Sequence, residues 1–376
     1  MWPEQIPDDV LESRVAEAAA VAEEHAASVD AEARYPREAL AALRRLGLLT
    51  LLVPSDLGGC GGTLGQFVDT VRQLAGACGA TALCYAMHGG ARHMLVAQAQ
   101  DGRLAARLRA SCAAQEIYTL AVSPARHPDG GQSSLALQRV TGGYMLSGRK
   151  AWCTGVAEAT TVLVFVPANA TGDVPVPTVP CIQPRETRGL CIEETWQGTG
   201  LRGSRSDTIV FERAFVPHTT LVGEEGRGDA LLAATDAPTL LGLAAASLGC
   251  GEAAVRAAAH MLGGRLEQGA SLPPVALDLA GADVALRAAA AAVETAVRMV
   301  VADAAGARPA ILAAKAASNL AAVTAADAAL AAAGASGYQR GSPLERHWRD
   351  AHGGRLMLPT PEDCRSALAQ TLLGWS

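Results

Sequence analysis

The sequence has no basic run and no acidic tail, and its net charge of −6 is spread along the chain. Nucleic acid is therefore not an expected partner. Aromatics are few, at 4%. No C-x-x-C pair occurs among the nine cysteines at 60, 78, 84, 112, 153, 181, 191, 250 and 364. An odd number without pairing motifs excludes a disulfide framework and a zinc site, and implies reduced thiols. The eight histidines include no H-x-x-x-H pair, and His88 and His93 are five apart, so no metal is expected. No G-x-S-x-G elbow anchors a serine triad. No charge-free apolar stretch reaches the roughly 20 residues that span a bilayer. The most apolar segment, 240–259, carries Glu252 and Arg256 and reads as a bundle helix. The opening residues lack a basic segment followed by an apolar one, so a secretory signal is not expected and the cytoplasm is.

What is present divides into three. Residues 1–115 read as an N-terminal α-helical domain, because Val10, Val15, Ala18 and Val21 recur at helical spacing and further helices fit 37–46, 64–77, 80–99 and 102–115. From Ile117 the period changes to short alternating or β-branched runs at 117–122, 134–140, 144–153, 160–166, 190–196 and 208–216. Turn signals separate them, including Pro128-Asp-Gly-Gly and Thr141-Gly-Gly. Residues 116–225 therefore read as a middle β-barrel or sandwich. Residues 226–376 read as a C-terminal helical bundle of four helices, over 230–263, 275–303, 308–334 and a shorter piece from 362. The fold class is α+β, multidomain.

Gly198-Thr-Gly200-Leu-Arg-Gly203 matches G-x-G-x-x-G. A dinucleotide fingerprint follows a strand and opens a helix, whereas this one leads into strand-like Thr208-Ile-Val-Phe. Gly143-Tyr-Met-Leu-Ser-Gly-Arg-Lys-Ala-Trp-Cys-Thr-Gly155 reads as a hairpin with Ser147-Gly148 as its second turn. On an extended strand Trp152 and Thr154 would point to one side. Core packing is the plain alternative, but an indole beside a hydroxyl can cover an aromatic cofactor and bond a ring nitrogen.

This segment resembles the "G-Y-x-L-x-G-x-K-x-W/F-x-T" signature of acyl-CoA dehydrogenases. Three more blocks resemble that family in the same order. They are Leu46-Gly-Leu-Leu with Val53-Pro-Ser-Asp-Leu-Gly-Gly, Trp196-Gln-Gly-Thr-Gly-Leu-Arg-Gly-Ser with Val210 to Pro217, and Gly334-Ala-Ser-Gly-Tyr338 with Pro343 to Ala351. The resemblance implies FAD lying between the β domain and the bundle, partly held by a neighbouring subunit of a homodimer or homotetramer. By position it implies flavin contacts from Leu120, Val122, Ser123, Trp152, Thr154, Gly334 and Thr360.

The departures bear on mechanism. The family's glutamate base lies seven residues after "R-D-A", which gives Leu358 here, and its second known placement falls near Thr239. Neither accepts a proton. The nearest carboxylate is Glu362, with Asp363 beside it. Thr360-Pro361-Glu362-Asp363 also reads simply as a helix start. The CoA end is altered as well, with Leu240 and Ala331 at positions of the family's Arg and Gln and Arg265 to Gly269 in place of "R-x-Q-F-G". The resemblance thus implies an FAD-dependent acyl-thioester dehydrogenase acting on acyl-CoA or an acyl carrier protein. Glu362 would be its base, desaturation would fall at a shifted position such as γ,δ in polyketide-type metabolism, and an electron-transfer flavoprotein or oxygen would be the acceptor. Two alternatives are a flavin monooxygenase or oxidase on the same fold, and a flavin-free binding module.

Overall fold

The computed structural model describes residues 6–123, 135–267 and 274–374. The turn expected at Pro128 to Gly131 and the end of the Arg265 to Gly269 stretch lie outside them. Five helices come first: α1 (Asp8–Ala31), α2 (Arg37–Arg45), α3 (Leu64–Ala77), α4 (Gly79–Val96) and α5 (Gly102–Ala113). In α1 the buried residues Leu11, Val15, Ala18, Ala22, Ala26 and Val29 follow the three-and-four spacing of one helix face. A capping box starts α3, with Thr63 Oγ1 accepting from Gln66 N–H and Gln66 Oε1 accepting from Thr63 N–H.

Eight strands follow: β1 (Tyr118–Ala121), β2 (Ala136–Val140), β3 (Gly143–Cys153), β4 (Thr161–Val164), β5 (Thr171–Gly172), β6 (Cys181–Ile182), β7 (Leu190–Glu193) and β8 (Asp207–Pro217). They form two sheets, ordered β1-β4-β6 and β5-β2-β3-β8-β7. The expected barrel does not close among the described residues, because each sheet keeps two edge strands. The arrangement is the sandwich alternative. Ser147-Gly148 is not a turn either. Strand β3 runs through it against β8 with a bulge between Leu146 and Gly148, and Gly148 absorbs the kink at φ +122°.

The remaining helices are α6 (Gly228–Ala234), α7 (Asp236–Glu267), α8 (Val275–Val301), α9 (Ala307–Ala333), α10 (Pro343–Arg355) and α11 (Pro361–Leu373). Helix α10 is absent from the sequence reading, because its polar residues hide a buried face of Leu344, His347, Ala351 and Gly354. Helix α9 packs on α7, α8, α10 and α11, and α7 also lies on α3 and α4, so one core joins the first helices to the bundle. The alanine excess serves this packing. Ala322, Ala325, Ala326, Ala329, Ala332 and Ala333 are all buried, and small residues let helix axes approach. Two segments, 236–264 and 307–336, are long and apolar enough to cross a membrane, but 83% and 61% of their most apolar windows are buried within the protein.

Candidate functional site

Strand β3 ends on a second irregularity. Its register against β8 breaks between Lys150 and Cys153, and Trp152 takes φ +54°. The alternation argument for Trp152 and Thr154 therefore fails, since Trp152 is 58% exposed while Cys153 and Thr154 are buried. A left-handed, non-glycine residue presenting a large indole to solvent is strained backbone without a packing return. The loop between β7 and β8 carries two more such residues, Leu201 at φ +51° and Arg205 at φ +45°. Strain of this kind clusters at functional sites.

The two strained segments meet through hydroxyls. Thr154 Oγ1 lies 3.2 Å from Ser206 Oγ, which lies 2.9 Å from Ser204 Oγ, and all three residues are buried. Thr119 Oγ1 donates to Thr154 O at 2.7 Å, tying β1 to the same place. The end of β1 is held there twice more. Ala151 N–H donates to Ser123 O at 3.3 Å, and Lys150 Nζ donates to Val122 O at 2.6 Å. Lys150 is buried, which pushes its pKa down to about 8. Four of the sequence-derived positions, Val122, Ser123, Trp152 and Thr154, thus come together where β1 and β3 end, whereas Leu120 of β1 packs into an apolar cluster with Met94 and Leu95 of α4 and Leu104 and Leu108 of α5. Ser204 and Ser206 belong to the group at these strand ends as well, and only the fold revealed them. Their signal in the sequence was the Gly198 to Ser204 block.

The third wall comes from the bundle. Leu83 and Met87 of α4, Leu201, Leu243 of α7 and Met357 of the α10–α11 connection pack into one apolar cluster. Gly90 of α4 comes close enough to α7 that an added Cβ would lie 2.2 Å from Thr239 Oγ1, whose buried hydroxyl has no partner among the described residues. Asp350 of α10 fixes the strained loop, its Oδ1 accepting from Leu201 N–H at 2.6 Å. Burial, with the charge of Asp30 adding, pushes the Asp350 carboxyl up to about 6.

That value yields a prediction. The folded protein keeps a proton on Asp350 across roughly pH 4 to 6, where the unfolded chain has lost it, so this group's contribution to stability declines as pH rises through that window. Asp350→Asn keeps an acceptor for Leu201 N–H and removes the charge. We expect it to stabilise the fold at pH 8 by on the order of 2–3 kcal/mol, seen as a higher melting temperature, and to leave stability unchanged at pH 4. A variant less stable than wild type at pH 8 would overturn this account.

The other sequence-derived residues do not join the group. Gly334 ends α9 at φ +64°, exposed on the bundle. Thr360 caps α11: its Oγ1 accepts from Asp363 N–H at 3.2 Å, and its N–H donates to Asp363 Oδ2 at 2.8 Å. Glu362 sits in the first turn of α11, exposed, with Oε1 3.2 Å from Arg355 Nη2 and 3.3 Å from Arg365 Nη2. A general base works best with its pKa near the operating pH, which for a carboxylate means a burial-raised value. The α11 backbone N–H and the two arginines instead hold Glu362 below the usual carboxylate range. Leu358, at the family's base position, is 56% exposed. His88 is a satisfied core residue. Tyr118 N–H donates to its Nδ1 (3.0 Å), so its Nε2–H donates to Leu49 O (2.6 Å), and burial lowers its pKa to about 3.

Comparisons with known proteins point to one family and fold. Residues 9–104 match the acyl-CoA dehydrogenase N-terminal domain and residues 239–373 the acyl-CoA dehydrogenase C-terminal domain. The chain is 26% identical over 355 residues to the human mitochondrial short-chain specific acyl-CoA dehydrogenase, covering 93% of this chain and 85% of that one. Among solved structures it is similar to KijD3 in complex with FMN and dTDP-3-amino-2,3,6-trideoxy-4-keto-3-methyl-D-glucose, with 26% identity and a TM-score of 0.86 over 100% of this chain and 96% of that one. It is similar too to a nitrososynthase from Micromonospora carbonacea var. africana, with 26% identity and a TM-score of 0.84 over 99% of both chains.

Proposed function

The chain belongs to the acyl-CoA dehydrogenase family of flavoproteins, and from that premise we propose that it is a flavin-dependent oxygenase acting on an amine. The observation that carries this reading is the missing base. Abstraction of an acyl-chain proton needs a carboxylate within reach of the flavin, near its working pKa. Leu358 and Thr239 hold the two positions, and Glu362 is exposed, ion-paired and acidified. Oxygenation needs no such carboxylate. The two similar solved structures at 26% identity, a nitrososynthase and a protein holding FMN with an amino-sugar nucleotide, support the same reading.

The residues present fit a flavin. The indole of Trp152 offers a flat apolar face, and Thr154, Ser204 and Ser206 offer hydroxyls beside it, on backbone held by Lys150 and Asp350. When bound, the flavin supplies two electrons: in oxygenation one oxygen atom enters the substrate and the other leaves as water. The chain's own task is to hold the ring against Trp152 and bond its edge. The apolar cluster around Leu201 and Met357 keeps water away, which suits chemistry that water would divert.

The second reading, an acyl-CoA or acyl carrier protein dehydrogenase with Glu362 as base and an electron-transfer flavoprotein or oxygen as acceptor, is favoured by the short-chain relative. For assembly we propose a homodimer or homotetramer, to which the exposed Leu277 and Val284 of α8 and Leu372 and Leu373 of α11 offer apolar side chains.

Two measurements separate the readings. Anaerobic addition of butyryl-CoA, or of butyryl carrier protein, is expected to leave the flavin spectrum unchanged. With a flavin reductase, air and a dTDP-3-aminosugar, a product 16 mass units heavier is expected. Anaerobic bleaching by either thioester would sink the oxygenase. Glu362→Gln is expected to keep at least about half of wild-type activity, because removing an exposed, paired charge costs little. A loss of a hundredfold or more would restore Glu362 as a base.

A further inference from the structure

Lys315 lies within α9 with none of its surface exposed. No carboxylate among the described residues bonds it. Its ammonium donates instead to Pro359 O at 2.6 Å, Met357 O at 2.9 Å and Asn319 Oδ1 at 3.1 Å, which uses all three protons. Asn319, one turn along, extends the connection. Its Nδ2 donates to Ser247 Oγ on α7 at 2.6 Å and to Gly354 O at the end of α10 at 3.2 Å.

A buried charge is costly, and packing alone would be served by the alanines that surround it in α9. What the charge reaches is the α10–α11 connection. Leu356 and Leu358 there point outward, 75% and 56% exposed. Met357 between them packs inward on Leu83, Leu201 and Leu243. Leu201 belongs to the strained loop that carries Ser204 and Ser206, so the connection reaches the site through one side chain.

We propose that Lys315 is a positioning residue, holding the α10–α11 connection on the bundle so that Met357 closes the apolar wall of the site beside Leu201. The clamp stands on geometry alone. Its consequence for the wall rests on the site reading given above.

The test is hydrogen exchange of the peptide covering residues 356–360 in flavin-loaded protein, for wild type, Lys315→Met and Lys315→Ala. Wild type is expected to protect this peptide to the level of α9, despite its exposed leucines. Both variants are expected to keep the flavin and to exchange the peptide about tenfold faster or more, with α8 unchanged. Ethylammonium, and not ethanol, is expected to restore protection in Lys315→Ala, which loss of packing alone would not produce. Unchanged exchange in Lys315→Met overturns the clamp. Should neither variant fold, rapid exchange in wild type overturns it and α9-like protection supports it. For the wall, bound reduced flavin and dioxygen yield oxidised flavin and hydrogen peroxide. Peroxide release is expected to rise about fivefold in Lys315→Met as solvent enters. A loosened connection with unchanged release overturns the role of Met357. The exchange arm needs no turnover, so failure of the oxygenase reading leaves the clamp decided.

Discussion

Alanine in place of Trp152 is expected to weaken flavin binding by about 10- to 100-fold and to change the stability of the flavin-free protein little. The asymmetry follows from where the indole sits. It is 58% exposed and belongs to no hydrophobic cluster among the described residues, so its loss removes little core. Its value lies in the flat face it offers a ring. Trp152→Gly sharpens the test. The φ of +54° costs a side-chain-bearing residue about 1 kcal/mol, and glycine relieves it. The glycine variant should therefore melt slightly higher than wild type without flavin and still bind flavin poorly. Flavin fluorescence titration and thermal melts read both quantities. Affinity within twofold of wild type in either variant would remove Trp152 from the flavin site.

The second large effect is on stability, and it contrasts two glycines of one helix. Gly249 of α7 faces α3 so closely that an added Cβ would lie 2.2 Å from Arg72 O and 2.7 Å from Ala75 Cβ. Backbone cannot swing aside as a side-chain tip can, so even alanine must push the helices apart. A loss of about 3 kcal/mol is expected for Gly249→Ala. Gly263, about one turn from the end of the same helix, has nothing within 4 Å of its added Cβ. Gly263→Ala is expected to stabilise by about 0.5–1 kcal/mol through helix propensity. Denaturant titration of the two variants in parallel checks both signs. A neutral Gly249→Ala would mean that α3 and α7 tolerate a wider spacing than their contact implies.

The contrast shows what the sequence could not reveal. Both glycines fall in one stretch of helical spacing, and the sequence around them does not say which faces another helix. Only the partner helix makes one of them irreplaceable.

The family and the order of its parts were legible in the chain. Helical spacing, the switch to short alternating runs at Ile117 and the return to long alanine-rich helices each follow local rules, and helices and strands obey local rules strongly. The signature around Gly143 to Gly155 marked the strand that we propose faces the flavin. The missing carboxylate at Leu358 was also a sequence fact, since an absent functional group needs no structure to be seen.

Tertiary structure decided the rest, because it depends on contacts between segments far apart in the chain. It left the sheets as a sandwich with open edges. It turned Trp152 outward through a register break that alternation could not foresee. It brought Ser204 and Ser206, about 50 residues on, to the hydroxyl of Thr154. It gave Glu362 two arginine partners, one of them seven residues away across the α10–α11 connection, which help hold its pKa below the usual carboxylate range and so make it a weaker base. It also buried Lys315 under that connection, where its ammonium meets two backbone carbonyls. Period and motif are properties of neighbouring residues, whereas burial, strain and pKa are set by what the folded chain brings beside them.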